Sequence, residues 1–508
     1  MEYGFVIDNQ RCIGCHACTV ACKAEHQVPL GSFRTWVKNV EKGSYPDVRR
    51  HFSVLRCNHC ADAPCVNICP TGALYHRPDA IVDFDPSHCI GCKACMAACP
   101  YDALYIDPDT QTAAKCNYCA HRIEFRMEPP CVTACPEQAI IAGDLSDSRS
   151  RISSLLALRQ VSVRKPEMGT RPRVYYIGAD DVSLAPETAA NSGFYASAER
   201  PAWDTGYPVP LAPEETPARV SYDVSHEKPW GFGVSLYLWT KSLAAGPILT
   251  SALLMLMRYA RAPVLFGVYA PALALIMTAA TVFLLLGDLG RPGRFLKIVF
   301  HPNPRSWLVW GSYSLTAFGT VALLWLSAGV AELEVIVVRL LWPGLLLSVL
   351  AAGYSAFLLA QARGRALWQS RLLFPHLLVQ AFLAGSAALA LGAVFLGSGR
   401  QLIDFLFRCL LGALCVHGIL GLSEIGIPHG TEAGRGAVRY ILQGPLSRLF
   451  WFGVVVAGFI LPVNLLSIYV AGSFSDVTLG VAAAALSLIG LLAYDHCYIR
   501  AGQALPLS

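Results

Sequence analysis

Sixteen of the nineteen cysteines of this chain lie between Cys12 and Cys135, in four tight groups. The first is Cys12, Cys15, Cys18 and Cys22, spaced C-x2-C-x2-C-x3-C, and the third repeats that spacing as Cys89, Cys92, Cys95 and Cys99 before Pro100. The second, Cys57, Cys60, Cys65 and Cys69, widens the middle gap and is followed by Pro70. The fourth, Cys116, Cys119, Cys131 and Cys135, widens it further and is followed by Pro136. Disulfide frameworks do not bunch in this way.

A short loop that offers three sulfurs, followed by chain that carries a fourth elsewhere, suits a cubane iron–sulfur cluster, and this is the bacterial run whose fourth cysteine ligates the other cluster of a pair. Small residues such as Gly14, Gly91, Ala17 and Ala94 let the backbone approach and aim amides at the sulfides. Zinc also takes C-x2-C pairs and is the alternative, although two full repeats of the run with three Cys-Pro endings are foreign to zinc sites. Sixteen thiolates make four sets of four. Arg11, Lys23, His59, Lys93 and Lys115 border the groups and are candidates either for tuning cluster potentials or for solubility and docking.

Composition divides the chain. Of 508 residues, 54% are hydrophobic and 15% charged, too apolar for an ordinary soluble protein. The excess begins near residue 230. Eight apolar stretches follow, at about 233–257, 263–287, 306–328, 335–360, 373–397, 402–425, 449–470 and 477–498, each long enough to cross about 30 Å of hydrocarbon as a helix. The expected fold class is an α+β ferredoxin-like four-cluster domain followed by an all-α membrane bundle of eight transmembrane helices. The domains expected are 1–145, a Pro-rich linker at 146–230 that packs on the first domain or on a partner, and 231–500. In the linker, prolines recur from Pro166 onward, while Tyr175, Tyr176, Tyr195 and Trp203 suit packing on a surface.

An even number of crossings returns the C-terminus to the side of the cysteine-rich domain. On that side the loops carry Arg291, Arg294, Lys297, Arg305, Arg363, Arg365, Arg371, Arg435, Arg439 and Arg448, against Arg258, Arg261 and Arg400 opposite. The bias predicts a cytoplasmic cysteine-rich domain on a bacterial inner membrane, in keeping with an N-terminus that has neither a Sec nor a twin-arginine signal. A net charge of +5 without a basic, aromatic-interleaved stripe argues against nucleic acid as a partner.

The four cysteine groups resemble the iron–sulfur subunit of DMSO-reductase-like molybdopterin oxidoreductases. That resemblance implies interleaved ligand sets: Cys12, Cys15, Cys18 with Cys135; Cys22 with Cys116, Cys119, Cys131; Cys57, Cys60, Cys65 with Cys99; and Cys69 with Cys89, Cys92, Cys95. Some relatives lack the second cysteine of the third group and hold a three-iron cluster, whereas Cys92 is present here. The segments Tyr237–Lys241, Gly287–Pro292, Arg305–Trp307, Tyr354–Gln361 and Leu367–Ser370 resemble the polysulfide reductase (NrfD) family of membrane anchors. This second resemblance implies quinone chemistry, with menaquinone or ubiquinone, near the cluster-facing side, and usually no haem. Together they imply a molybdopterin catalytic subunit as partner, carrying a Mo or W bis-pterin, with assembly into a dimer of complexes left open.

Quinol oxidation needs hydrogen-bonding groups at the carbonyls and a titratable exit, and ionisable groups at membrane depth are usually functional. Lys241, Asp288, Tyr354, His417 and Glu424 are the candidates for the quinone site or a proton path. The ordinary readings are that Asp288 pairs with Arg291 or Arg294, and that a buried tyrosine is a satisfied core residue. His417 is the one histidine deep in a predicted span, so bis-histidine haem is not expected, with His376 near the start of the fifth span the qualification. Cys409, Cys415 and Cys497 read as ordinary buried residues. Substrate chemistry is expected on another polypeptide, which leaves open whether this chain is itself an enzyme. A hydrogenase, multihaem cytochrome or proton-translocating module is the alternative.

Overall fold

The computed structural model of the chain describes residues 1–197, 218–257, 262–426, 431–472 and 476–508, with the backbone alone for 191–197. Trp203, Arg258 and Arg261, named above, lie outside the described residues.

Among the described residues, twelve short strands build the cysteine-rich part. β1 (Tyr3–Asp8), buried along its centre as Gly4, Phe5, Val6 and Ile7, runs antiparallel to β8 (Ile140–Asp144) and parallel to β10 (Val174–Ile177), which pairs with β9 (Val161–Ser162). A second sheet has the order β11 (Ala190–Ser197), β12 (Ala218–Asp223), β2 (Thr35–Lys42), β3 (Arg49–Arg56). Two hairpins, β4 (Leu74–His76) with β5 (Val82–Phe84) and β6 (Leu104–Asp107) with β7 (Thr112–Lys115), complete it. Thus the segment between the two expected domains contributes strands to both larger sheets, β9 and β10 to the first and β11 and β12 to the second.

Short helices follow the cysteine loops, for example Ala17–His26 and Ala94–Ala98. Their entry residues His16 and Lys93 have positive φ, as do Gly14 and Gly91 within the loops. This left-handed backbone is what turns consecutive amides inward.

The C-terminal part is a helical bundle: α1 (Phe232–Leu256), α2 (Pro263–Gly287), α3 (Trp307–Val330), α4 (Glu334–Gln361), α5 (Leu373–Phe395), α6 (Arg400–Gly426), α7 (Leu449–Val470) and α8 (Val477–Gly502). Seven of these, α2 to α8, are long and apolar enough to cross a membrane, so this is a multi-pass membrane protein. α1 has the length but carries Ser235, Tyr237, Thr240, Lys241, Ser242, Thr250 and Ser251, all buried inside the bundle. Apolar side chains on the outer helices face outward, as lipid contact requires, while α5 is central, 72% of its apolar window being buried. Small residues set the crossings: a Cβ on Gly246 of α1 would lie 2.2 Å from Ala381 O of α5, and one on Gly458 of α7 2.5 Å from Gly490 Cα of α8.

The two parts dock through the third and second cysteine loops. Gly290 N donates to Gly91 O (3.2 Å) and Arg291 N to Ile90 O (3.0 Å). Arg294 Nη1 donates to Pro86 O and Cys89 O, Lys297 Nζ to Ser87 O, Asn303 Nδ2 to Val66 O and Cys69 O, and Ser306 Oγ to Ile68 O. The Gly287–Pro292 and Arg305–Trp307 segments are therefore interface. Gly290 is required by closeness, because a Cβ there would lie 2.6 Å from Gln111 O. Gly290→Val is expected to weaken docking by about 1–3 kcal/mol, read as faster limited proteolysis of the 288–306 loop in purified protein.

Candidate functional site

Three of the four cysteine groups line a void together with a sulfur from another group. Cys12, Cys15, Cys18 and Cys135 surround one of about 340 Å³, Cys22, Cys116, Cys119 and Cys131 one of about 280 Å³, and Cys69, Cys89, Cys92 and Cys95 one of about 380 Å³. Cys57, Cys60, Cys65 and Cys99 are one another's electrostatic neighbours. Among the described residues, no three His, Cys, Asp or Glu side chains converge on a single-ion site. Zinc at about 2.3 Å from each sulfur would draw four sulfurs to within about 4 Å of one another. Sulfurs spread around a void instead fit a cubane.

The walls suit that group. Gly91 N and Ala113 N point at Cys89 Sγ (3.4 and 3.3 Å), and Ala139 N at Cys135 Sγ (3.2 Å). Burial pushes the thiols of Cys18 and Cys99 up to about 11 and that of Cys22 to about 12, so thiolates here require a cationic or metal partner. Lys115, fully buried, donates to Val82 O and to Cys116 O (2.9 Å) and neighbours Cys57. His59 is also buried and accepts from Val82 N (3.2 Å). Lys23 donates to Pro29 O and Ser32 O, Arg11 is exposed, and Lys93 reaches Asp288. Arg56 was not among the residues singled out from sequence, yet it lies 3.3 Å from Cys131 Sγ and lines the void beside it. Its place directly before Cys57 was the available signal.

A larger apolar cavity of about 1260 Å³ lies between α1, α2, α3 and α4, and its wall includes Cys92, Trp230, Tyr237, Asp288, Tyr313 and Tyr354. Trp230 donates its indole N–H to Cys92 O (3.4 Å) and stacks on Trp368, so one aromatic ring spans the cysteine loop and the cavity. Tyr354 packs against Gly311, where a Cβ would meet its ring at 2.3 Å. Behind it, Lys241 Nζ lies 5.0 Å from the Tyr354 ring centroid and donates to Ala352 O (2.8 Å) and Ser355 Oγ (2.7 Å), the latter also 2.9 Å from Tyr237 OH. Asp495 of α8 lies within electrostatic reach of Lys241. Asp288 pairs with Lys93 at 3.4 Å, not with Arg291 or Arg294.

His417 and Glu424 are not in that cavity. They meet His376 deeper between α5, α6 and α8, where His376 Nδ1 is 2.9 Å from Glu424 Oε2, His376 Nε2 is 2.8 Å from His417 Nδ1, and Tyr494 OH donates to Glu424 Oε2 (2.7 Å). The structure thus divides the five candidates, with Tyr354, Asp288 and Lys241 at or behind the cavity and His417 with Glu424 in a separate buried network. Tyr237, Asp495 and Tyr494 were not proposed from sequence as site residues. Asp495 carried a readable signal, an acid inside the last apolar stretch.

A polytopic helical bundle docked on a domain of cysteine-lined voids defines a membrane-anchored iron–sulfur electron carrier. Residues 221–506 match the family described as Polysulphide reductase, NrfD, and the chain belongs to that family. Residues 11–74 and 48–145 match 4Fe-4S dicluster domains, so one chain joins the two. Among curated relatives, a tetrathionate reductase subunit of Salmonella typhimurium is 45% identical over 189 residues, 36% of this chain and 76% of that protein. A polysulfide reductase component of Wolinella succinogenes is 40% identical over 181 residues, 35% of this chain and 94% of that protein. The arsenate respiratory reductase iron-sulfur subunit of a Shewanella species is 34% identical over 233 residues, 36% of this chain and all of that protein.

Cys92→Ser is expected to remove or convert one cluster only. Iron analysis after anaerobic purification should give about three quarters or more of the wild-type content, since each cluster holds a quarter of the iron; loss of all iron, or zinc in its place, would show the sets are not independent cubanes.

Proposed function

We propose that this chain is the electron-transfer and anchor subunit of a respiratory, quinone-linked molybdenum or tungsten oxidoreductase, passing electrons between quinone in the bilayer and a separate catalytic subunit. The observation that carries the reading is the shared wall of the apolar cavity, where the Cys92 loop and Trp230 meet Tyr354 and Tyr237. A lipid-soluble head group fits a largely apolar slot with a few convergent polar groups. The ligand sets proposed are Cys12, Cys15, Cys18, Cys135; Cys22, Cys116, Cys119, Cys131; Cys57, Cys60, Cys65, Cys99; and Cys69, Cys89, Cys92, Cys95. When bound there, 4Fe–4S clusters supply a series of one-electron carriers.

The residues of the chain do the rest. Tyr354 and Tyr237 hydrogen-bond a quinone oxygen, and Lys241, anchored on Ala352 O and Ser355, fixes the wall behind them. Asp288 at the cluster-facing side takes the proton released there. The His376, His417, Glu424 and Tyr494 network gives a second place to hold protons, beyond Asp495 and Lys241. The names of the relatives support a sulfur or arsenic oxyanion, or polysulfide, as the substrate class of the partner. The ten basic loop residues near the cysteine-rich domain support its cytoplasmic placement on a bacterial inner membrane, with α1 as an eighth crossing.

The reading is tested by purifying the complex anaerobically: molybdenum or tungsten at about one atom per chain supports it, and nickel or additional haem assigns the chain to another partner. Tyr354→Phe should lower quinol-dependent cluster reduction about tenfold, one lost hydrogen bond, with iron content unchanged. Unchanged turnover would remove Tyr354 from the site.

Asp288 gives a pH dependence with a defined sign. Burial pushes its carboxyl up, against the downward pull of Lys93, so it keeps its proton to a higher pH than an exposed carboxylate does. The basic form is lost as pH falls through that raised value, and wild-type quinol oxidation falls on the acid side. Asp288→Asn should be slower by about 100-fold and flat over that range; a variant that keeps the acid-side fall shows that another group accepts the proton.

A further inference from the structure

Arg56 ends β3, and its guanidinium is enclosed at 1% exposure. Nη1 donates to Cys131 Sγ at 3.3 Å, and the group lies over the Phe5 ring, 4.5 Å from the centroid. Nε and Nη2 have no hydrogen-bond partner, and among the described residues no carboxylate pairs with it. A buried cation of this kind is strongly unfavourable unless an anion lies close by. Its charged neighbours are thiols of two different sets, Cys131 and Cys116 from one and Cys18 from the other. Lys115 differs, because two main-chain carbonyls take its ammonium protons.

The missing counter-charge thus faces Arg56 from the void it lines, bounded by Cys22, Cys116, Cys119 and Cys131, with Cys18 of the neighbouring set within electrostatic reach. An electron added to a cluster held by either set would add negative charge near a fixed cation, in surroundings that screen poorly. We propose that Arg56 is a shared electrostatic positioning residue that raises the reduction potentials of the clusters on Cys12, Cys15, Cys18, Cys135 and on Cys22, Cys116, Cys119, Cys131, keeping both within reach of electrons arriving along the chain. The proposal rests on the reading of those sets as cluster ligands.

The test is iron analysis and an EPR-monitored redox titration of the full-length chain, purified anaerobically with its native partner, as wild type, Arg56→Gln and Arg56→Lys. Wild-type protein without iron would sink the cluster reading itself, independently of Arg56. With iron retained, Arg56→Gln should move two of the chain's four midpoint potentials to more negative values and leave two in place, and Arg56→Lys should move the same two less. Four unchanged midpoints in Arg56→Gln overturn the proposal. Should Arg56→Gln lose iron from these sets, full iron at near-native potentials in Arg56→Lys still supports the need for charge. Equal iron loss in both variants makes Arg56 a packing residue and overturns it.

Discussion

Burying sulfur ligands is the constraint on which the rest of this molecule depends. A thiolate in a protein interior is unfavourable until a metal and a set of donors share its charge. The chain meets that demand with left-handed loop residues that turn amides inward, with Arg56 and Lys115 beneath the sheets, and with cysteines delivered from distant segments. Cys135 lies on the same void as Cys12, and Cys99 lies near Cys57, so the domain closes on itself, through sheets formed by β1, β8 and β10 and by β2, β3 and β12.

The membrane bundle obeys a different rule. Its helices satisfy their own backbones, so side-chain polarity inside them is free to serve chemistry. Two buried polar groupings result, one behind the cavity around Lys241, Ser355, Tyr237 and Asp495, the other around His376, His417 and Glu424. They lie on and beside α5, the most enclosed of helices α2 to α8, where Gly385 allows close crossing.

Much of this was legible beforehand. The cysteine spacing speaks directly because local loop geometry dictates it, and the apolar stretches speak because bilayer thickness dictates them. Tertiary proximity was harder. Nothing local to Glu424 says that His376, on another helix, will lie 2.9 Å away, and the alternative pairing of Asp288 with Arg291 or Arg294 gives way to Lys93 because Arg291 turns to Thr110 O in the β6–β7 turn and Arg294 to Pro86 O and Cys89 O. Arg56 and Asp495 each carried a local signal, one directly before Cys57 and the other an acid inside the last apolar stretch, but their enclosure, at 1% and 2% exposure, is set by tertiary packing. The segment after residue 145 looked like a connector since its prolines mask strands that form only by pairing with β1 and β2.

Across the seam between the two parts, the membrane-side donors Arg294, Lys297, Asn303 and Ser306 grip main-chain carbonyls of the cysteine loops. Such a grip reads the path of the backbone and is blind to the identity of the side chains there. Side chains on the outer surface of those loops can therefore vary without disturbing the seam, so long as the main chain keeps its course.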